Sequence, residues 1–212
     1  MPIAGSRLIV LLSFFREGAL RGIMPANQTC LVTLVQVIEA RRAGVTPIPA
    51  QSKEAVMKGK PEVLEVLQGA LTDELSAVHG YILHAEMCEN WGYKKIAGAT
   101  TKRGIEEMKH AEKLMSRILF LEGTPDVQSM TKIHVGKDVE EQMAIGLKDE
   151  TGAIASYNQG IAICVKAGDN ASAELLRGNL QDEERHADYL EMQLDLIKKL
   201  GMANYLAQNL TE

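Results

Sequence analysis

Ile105–Leu114 reads IEEMKHAEKL, and Gln181–Leu190 reads QDEERHADYL. Each carries Glu-x-x-His, Glu107 with His110 and Glu183 with His186, and the two copies lie 76 residues apart (183−107 and 186−110). The same step carries Asp73 and Glu74 onto Asp149 and Glu150, and Tyr81 onto Tyr157. A fixed step that preserves chemistry at several positions marks one supersecondary unit written twice.

Residues three apart on a helix differ by roughly 60° in azimuth, so each Glu and its His can point into one space. Two such chelates, joined by one inward Glu from each of two further helices, make the ligand set of a carboxylate-bridged metal pair in a four-helix bundle. Glu74 and Glu150 supply the remaining two, each 33 residues before its motif (107−74 and 183−150). Four carboxylates balance two divalent ions while neutral imidazoles add no charge. Without metal, burying four carboxylates is costly, so some are expected to be hydrated or protonated. Oxygen-rich donors with one imidazole per ion suit iron or manganese better than a thiolate-seeking metal.

Around this repeat, helical signals are continuous. Pro61 suits a first helical turn, and Val63, Leu64, Leu67, Leu71, Leu75, Val78 and Ile82 recur at three- and four-residue steps up to Trp91 and Gly92. A second helix is predicted from Lys94 to Glu122, stopped by Gly123 and Pro125. Asp138 caps a third ending before Gly168, Asp169 or Asn170 caps a fourth ending before Gly201, and a short fifth covers Met202 to Gln208. The link Gly123 to Lys137 reaches roughly 50 Å when extended, whereas a 29-residue helix is about 43 Å long. The link therefore spans the bundle, making the third helix parallel to the second. The fold class is all-α, a four-helix bundle with one long crossover and a short C-terminal helix.

Composition agrees. The 212 residues are 46% hydrophobic but 4% aromatic, with 10 Met, which suits one aliphatic helical core. The net charge of −5 divides unevenly: residues 1–56 hold six Lys/Arg against three Glu, leaving 17 against 25 in the remainder. An acidic body attracts cations and argues against nucleic acid as the main partner. Cys30, Cys88 and Cys164 form no Cys-x-x-Cys and are read as reduced, buried thiols of a cytoplasmic protein. Residues 1–56 stand outside the repeat and are expected to be a poorly ordered, dispensable extension, with Met57 the functional start. Their apolar run, Leu8 to Phe15, is too short to cross a bilayer and lacks a clear cleavage site.

The stretches MKGKPEVLEVL, LHAEMCENWG, EEMKHAEKLMSRILFLEGTP and DEERHADYLEMQLDLI, within Met57–Glu212, resemble the bacterioferritins. The resemblance implies a ferritin-like bundle whose di-iron ligands are Glu74, Glu107, His110, Glu150, Glu183 and His186. It also implies Fe(II) oxidation by oxygen or hydrogen peroxide, and storage of Fe(III) mineral in a homo-oligomeric cage of 24 subunits. Met108, about 100° around the helix from Glu107, would face outward and with its symmetry mate bind one haem b at a subunit two-fold. Tyr81 would lie near the metals and donate electrons. A second bacterioferritin subunit and an electron-donating ferredoxin are the partners the resemblance allows. Lys102 and Glu106 stand where some family members carry a histidine and an aspartate facing the cavity, so an inner-surface iron site is not expected in that form.

Bland readings cover the rest. His79 and His84 are expected to be solvated or packed, His134 lies in the crossover, and Trp91 caps the first hairpin. Tyr81 and Tyr157 are expected to hydrogen-bond ligand carboxylates. The competing functions are a di-iron oxygenase or peroxidase, and a haem-binding structural subunit of a mixed cage. Lack of Cys-x-x-Cys pairs argues against a rubrerythrin-type peroxidase, and six retained ligands argue against an idle site.

Overall fold

The computed structural model describes residues 58–210. Expectations for residues 1–56, Cys30 and a start at Met57 lie outside the described residues. Among the described residues five helices follow in order: α1 Pro61–Asn90, α2 Lys94–Phe120, α3 Val139–Ala167, α4 Asn170–Leu200 and α5 Met202–Ala207. Among the described residues no helix is long and apolar enough to cross a membrane.

Local chemistry sets the ends. Pro61 opens α1, and α2 follows after Trp91, Gly92 and Tyr93, with Gly92 at φ 86° making the turn. The Asp138 carboxylate accepts from the Glu141 amide at 2.9 Å and caps α3. Of the two candidates for α4, Asp169 is the cap, accepting from the Ser172 amide at 2.9 Å. The αL residue Gly168, at φ 79°, ends α3.

The end of α2 differs from the expectation. The helix stops at Phe120, and the left-handed residue is Glu122, at φ 61°. The amides of Glu122 and Gly123 bond back to Leu119 and Ile118 carbonyls at 3.0 and 2.9 Å, the double bond of a Schellman ending. Gly123 is there for want of space: an added Cβ would lie 2.8 Å from Leu64 Cδ2 and 2.9 Å from Ile118 Cγ2.

The crossover can be followed along α1. Gln68 bonds Asp126 through both its amide nitrogen and oxygen, each at 2.8 Å. Further on, the Thr131 amide donates to Ser76 Oγ at 2.9 Å, and Cys88 Sγ meets Gln142 Oε1 at 3.3 Å. Rising positions on the crossover thus meet rising positions on α1. Residue 139 begins α3 near the C-terminal end of α1, so α3 runs antiparallel to α1 and parallel to α2. The hairpins α1–α2 and α3–α4 pack through α1 on α3 and α2 on α4.

Two apolar clusters fill the ends of the bundle. One contains Val63, Leu67, Leu71, Leu114, Ile118 and Leu176, the other Ile96, Val139, Met143, Leu190, Ile197 and Tyr205. Trp91 packs on the second cluster, and Tyr205 fastens α5 by donating to Gln193 Oε1 at 2.7 Å. Cys88 and Cys164 are buried free thiols. Between the clusters the inward line of α1 turns polar, with Glu74, Tyr81 and His84 taking the places of aliphatics. Ile82, expected in the buried stripe, is consequently turned out and 56% exposed.

Candidate metal centre

Among the buried polar residues at mid-bundle are the six that the repeat singles out. Glu74, Glu107, His110, Glu150, Glu183 and His186 are all buried. Their donor atoms fall into two overlapping groups, each within 4.8 Å: Glu74, Glu107, His110 and Glu183, and Glu107, Glu150, Glu183 and His186. Glu107 and Glu183 belong to both. The His110 and His186 rings face each other with centroids 6.5 Å apart. Each ring turns Nδ1 inward: that of His110 lies 3.1 Å from both Glu107 and Glu183, and that of His186 lies 3.1 Å from Glu107 and 3.2 Å from Glu183.

The donor set fits a pair of cations. Both carboxylate oxygens of Glu107, Oε1 of Glu183 and Nδ1 of His110 are buried without a well-directed hydrogen bond. Such groups are costly unless another partner meets them. Protons take up part of that role. Burial alone would push His110 and His186 down, but the facing carboxylates outweigh it and carry both up to about 12. Burial would likewise raise Glu107 and Glu183, yet the close approach of the two histidines holds both below the ordinary carboxylate range. Glu74 is pushed up to about 8, chiefly by burial, and Glu150 is raised for the same leading reason. The expectation of protonated carboxylates is thus refined: imidazoles carry most of the compensating charge.

Each ring is anchored from behind by the opposite hairpin. His110 Nε2 lies 2.9 Å from Asp182 Oδ2, and His186 Nε2 lies 3.0 Å from Glu106 Oε2. Asp182 and Glu106 are themselves related by the 76-residue step (182−106), so the support repeats with the site. Carboxylates in this position fix ring orientation and raise ligand basicity. Glu106, noted from sequence only as a departure at an inner-surface site, is engaged by His186 instead.

The terminal carboxylates are held across the hairpins. Tyr81 donates to Glu150, and Tyr157 donates to Glu74. The index sums agree, 81 + 150 and 74 + 157 both giving 231, as antiparallel α1 and α3 require. Arg103 adds a cation to one side only, its Nη1 3.5 Å from Glu150 Oε1 and its Cζ 5.1 Å from the centre of the Tyr189 ring. Asn179 serves the other side, donating to Tyr157 Oη at 3.1 Å. Asp182, Arg103 and Asn179 were not singled out from sequence. The 76-residue step pairs Asp182 with Glu106 and also Asn179 with Arg103 (179−103), but the second pair shares no chemistry that would mark it.

Other expected residues are placed as follows. Met108 points away from the centre and is 45% exposed on α2. Lys102 is exposed, as are His79 and His134. His84 is buried.

A ferritin-like domain family matches residues 64–200. The bacterioferritin of Brucella melitensis is 45% identical over 149 residues, covering 70% of this chain and 92% of that protein. The bacterioferritin of Streptomyces coelicolor is 42% identical over 151 residues, 71% of this chain and 90% of its own. That of Mycobacterium tuberculosis strain CDC 1551 is 41% identical over 152 residues, 72% and 96% respectively.

Proposed function

We propose that this chain, which belongs to the bacterioferritins within the ferritin-like family, oxidises Fe(II) at the buried six-residue centre as the first step of iron storage. Iron storage itself follows from family membership. The observation that carries the oxidation step is the overlap of the two donor groups at Glu107 and Glu183.

Fe(II) is the substrate. Glu107 and Glu183 would bridge two ions, Glu74 with His110 would complete one site, and Glu150 with His186 the other. Two adjacent ferrous ions together supply the two electrons that oxygen or peroxide takes up in one encounter. The chain's own contribution is to hold donors in place. Asp182 and Glu106 keep each imidazole aimed inward, Tyr157 and Tyr81 fix the outer carboxylates, and the apolar clusters at both ends exclude bulk water. Tyr81 would donate an electron to the centre, a role supported by its hydrogen bond to Glu150 and by Arg103 beside its ring.

The product Fe(III) would pass to a mineral held by a homo-oligomeric cage of 24 subunits in the cytoplasm. Met108, outward on α2, would bind haem b across a subunit two-fold. Its replacement by Leu should abolish haem absorbance while leaving iron uptake in place; retained haem would remove this part of the proposal. For oxidation, stopped-flow absorbance should show rapid Fe(II) oxidation by the wild type and its loss in Glu107→Ala combined with His186→Ala. An unchanged rate would place the reaction elsewhere.

A further inference from the structure

The 76-residue step matches the two halves of the centre donor for donor, and it breaks at one supporting pair. On one side Tyr157 donates to Glu74 Oε1, which lies 3.5 Å from His110 Nδ1. On the other, Tyr81 donates to Glu150 Oε1, which lies 3.6 Å from His186 Nδ1. Behind Tyr157 stands Asn179, a neutral amide that donates to the tyrosine oxygen at 3.1 Å. Its repeat mate is Arg103, a permanent cation whose Nη1 lies 3.5 Å from Glu150 Oε1 itself. The inward oxygen of Glu150 thus has a fixed cation beside it, and among the described residues that of Glu74 has no Lys or Arg within ion-pair distance.

Arg103 is held by more than Glu150. Its Cζ lies 5.1 Å from the centre of the Tyr189 ring and 5.9 Å from that of Tyr81, and its side chain is 11% exposed. Aromatic faces attract a guanidinium, and a charge so little exposed is weakly screened by salt. A divalent ion taken up by Glu150 and His186 would therefore meet a charge of its own sign that stays in place. The support Arg103 gives to Glu150 does not offset this, because a bound ion orients its own ligand while the repulsion persists. Between a divalent ion and a cation several ångströms away, at an effective dielectric of about 20, repulsion exceeds what a tenfold loss of affinity requires.

We propose that Arg103 makes the two metal sites unequal: the site of Glu74 and His110 fills first, and that of Glu150 and His186, about tenfold weaker, fills second. The inference rests on the reading of the six residues as a metal pair. Arg103 is a positioning residue in this scheme, acting on the second ion through its charge and through Glu150. Because oxidation needs both ions, Arg103 sets the Fe(II) concentration at which it begins.

The test uses Zn(II), which binds without reacting. Crystals of the metal-free full-length wild type, Arg103→Asn and Arg103→Lys are soaked over a series of Zn(II) concentrations, and the anomalous peak at each site gives its occupancy. Burial pushes Glu74 up to about 8 and raises Glu150 too, so the soaks are made at pH 8, where protons compete little for either carboxylate. In the wild type the peak at Glu74 and His110 should appear at about tenfold lower Zn(II) than the other. Arg103→Asn, which copies Asn179, should make the two peaks rise together, and Arg103→Lys, which keeps the charge, should preserve the order. Peaks that rise together in the wild type, or with Glu150 and His186 first, overturn the proposal even if a variant fails to fold. So does an order that survives Arg103→Asn or is lost in Arg103→Lys. Zinc at neither site in the wild type would instead mean that the metal-pair reading has failed, and the proposal with it.

Discussion

His110 on the first hairpin is oriented by Asp182 on the second, Nε2 to Oδ2 at 2.9 Å, and the repeat returns the relationship as His186 to Glu106 at 3.0 Å. Neither hairpin can aim its own histidine. The centre is therefore a property of the closed bundle.

Removing one support at constant shape should loosen the ring without emptying the site. Asp182→Asn and Glu106→Gln should each weaken binding of a redox-inert divalent ion such as Zn(II) by about 10–100-fold. Titration calorimetry on the metal-free protein reads this directly. Equal affinity for wild type and both variants would show that the outer carboxylates do not govern ligation.

Metal loading should release protons. His110 and His186, carried up to about 12, are protonated at neutral pH, as is most of Glu74, pushed up to about 8. A ligating histidine must be neutral and a ligating glutamate ionised, so filling both sites should expel about two to three protons at pH 7. The sign follows: with folded-state values raised, protons compete more strongly as pH falls, so affinity drops with acidification. A pH-stat titration with Zn(II) in unbuffered solution gives the count, and no release would mean the histidines are neutral before binding.

The two tyrosines should differ. Tyr157→Phe strands a buried Glu74 and takes away the acceptor of Asn179, whose own Oδ1 already lacks a partner. A loss of about 1–3 kcal/mol in the metal-free protein is expected. Tyr81→Phe should cost less, because Tyr81 is only part-buried and Glu150 keeps Arg103. Denaturant unfolding of both variants gives the order, which the reverse ranking would contradict.

Gly123→Ala tests the ending of α2. The added methyl would press on Leu64 and Ile118 and on the Ile118 carbonyl at 3.2 Å, so a loss of about 1–3 kcal/mol is expected. A thermal midpoint equal to wild type would mean the turn yields freely.

Much of this was legible in the sequence, and the reasons are local. Periodic apolar residues with Pro61, Asp138, Gly168 and Gly201 placed the helices to within a few residues, and the duplicated Glu-x-x-His, with Glu74 and Glu150 related by the same 76-residue step, picked out six residues whose donor atoms meet at mid-bundle. What escaped depends on register between hairpins. Whether Asp182 faces His110, or Arg103 reaches Glu150, is decided by the packing of α2 on α4 and of α2 beside α3. The ending of α2 escaped for another reason. Gly123 signalled flexibility by its type, yet the fold uses its small size and gives the left-handed turn to Glu122.

The most direct test is anomalous diffraction from crystals loaded with Zn(II) or, without oxygen, Fe(II). Two peaks about 3.5–4 Å apart are expected, both within bonding distance of Glu107 and Glu183, with one histidine on each. A single peak, or peaks bound by other residues, would contradict the shared centre.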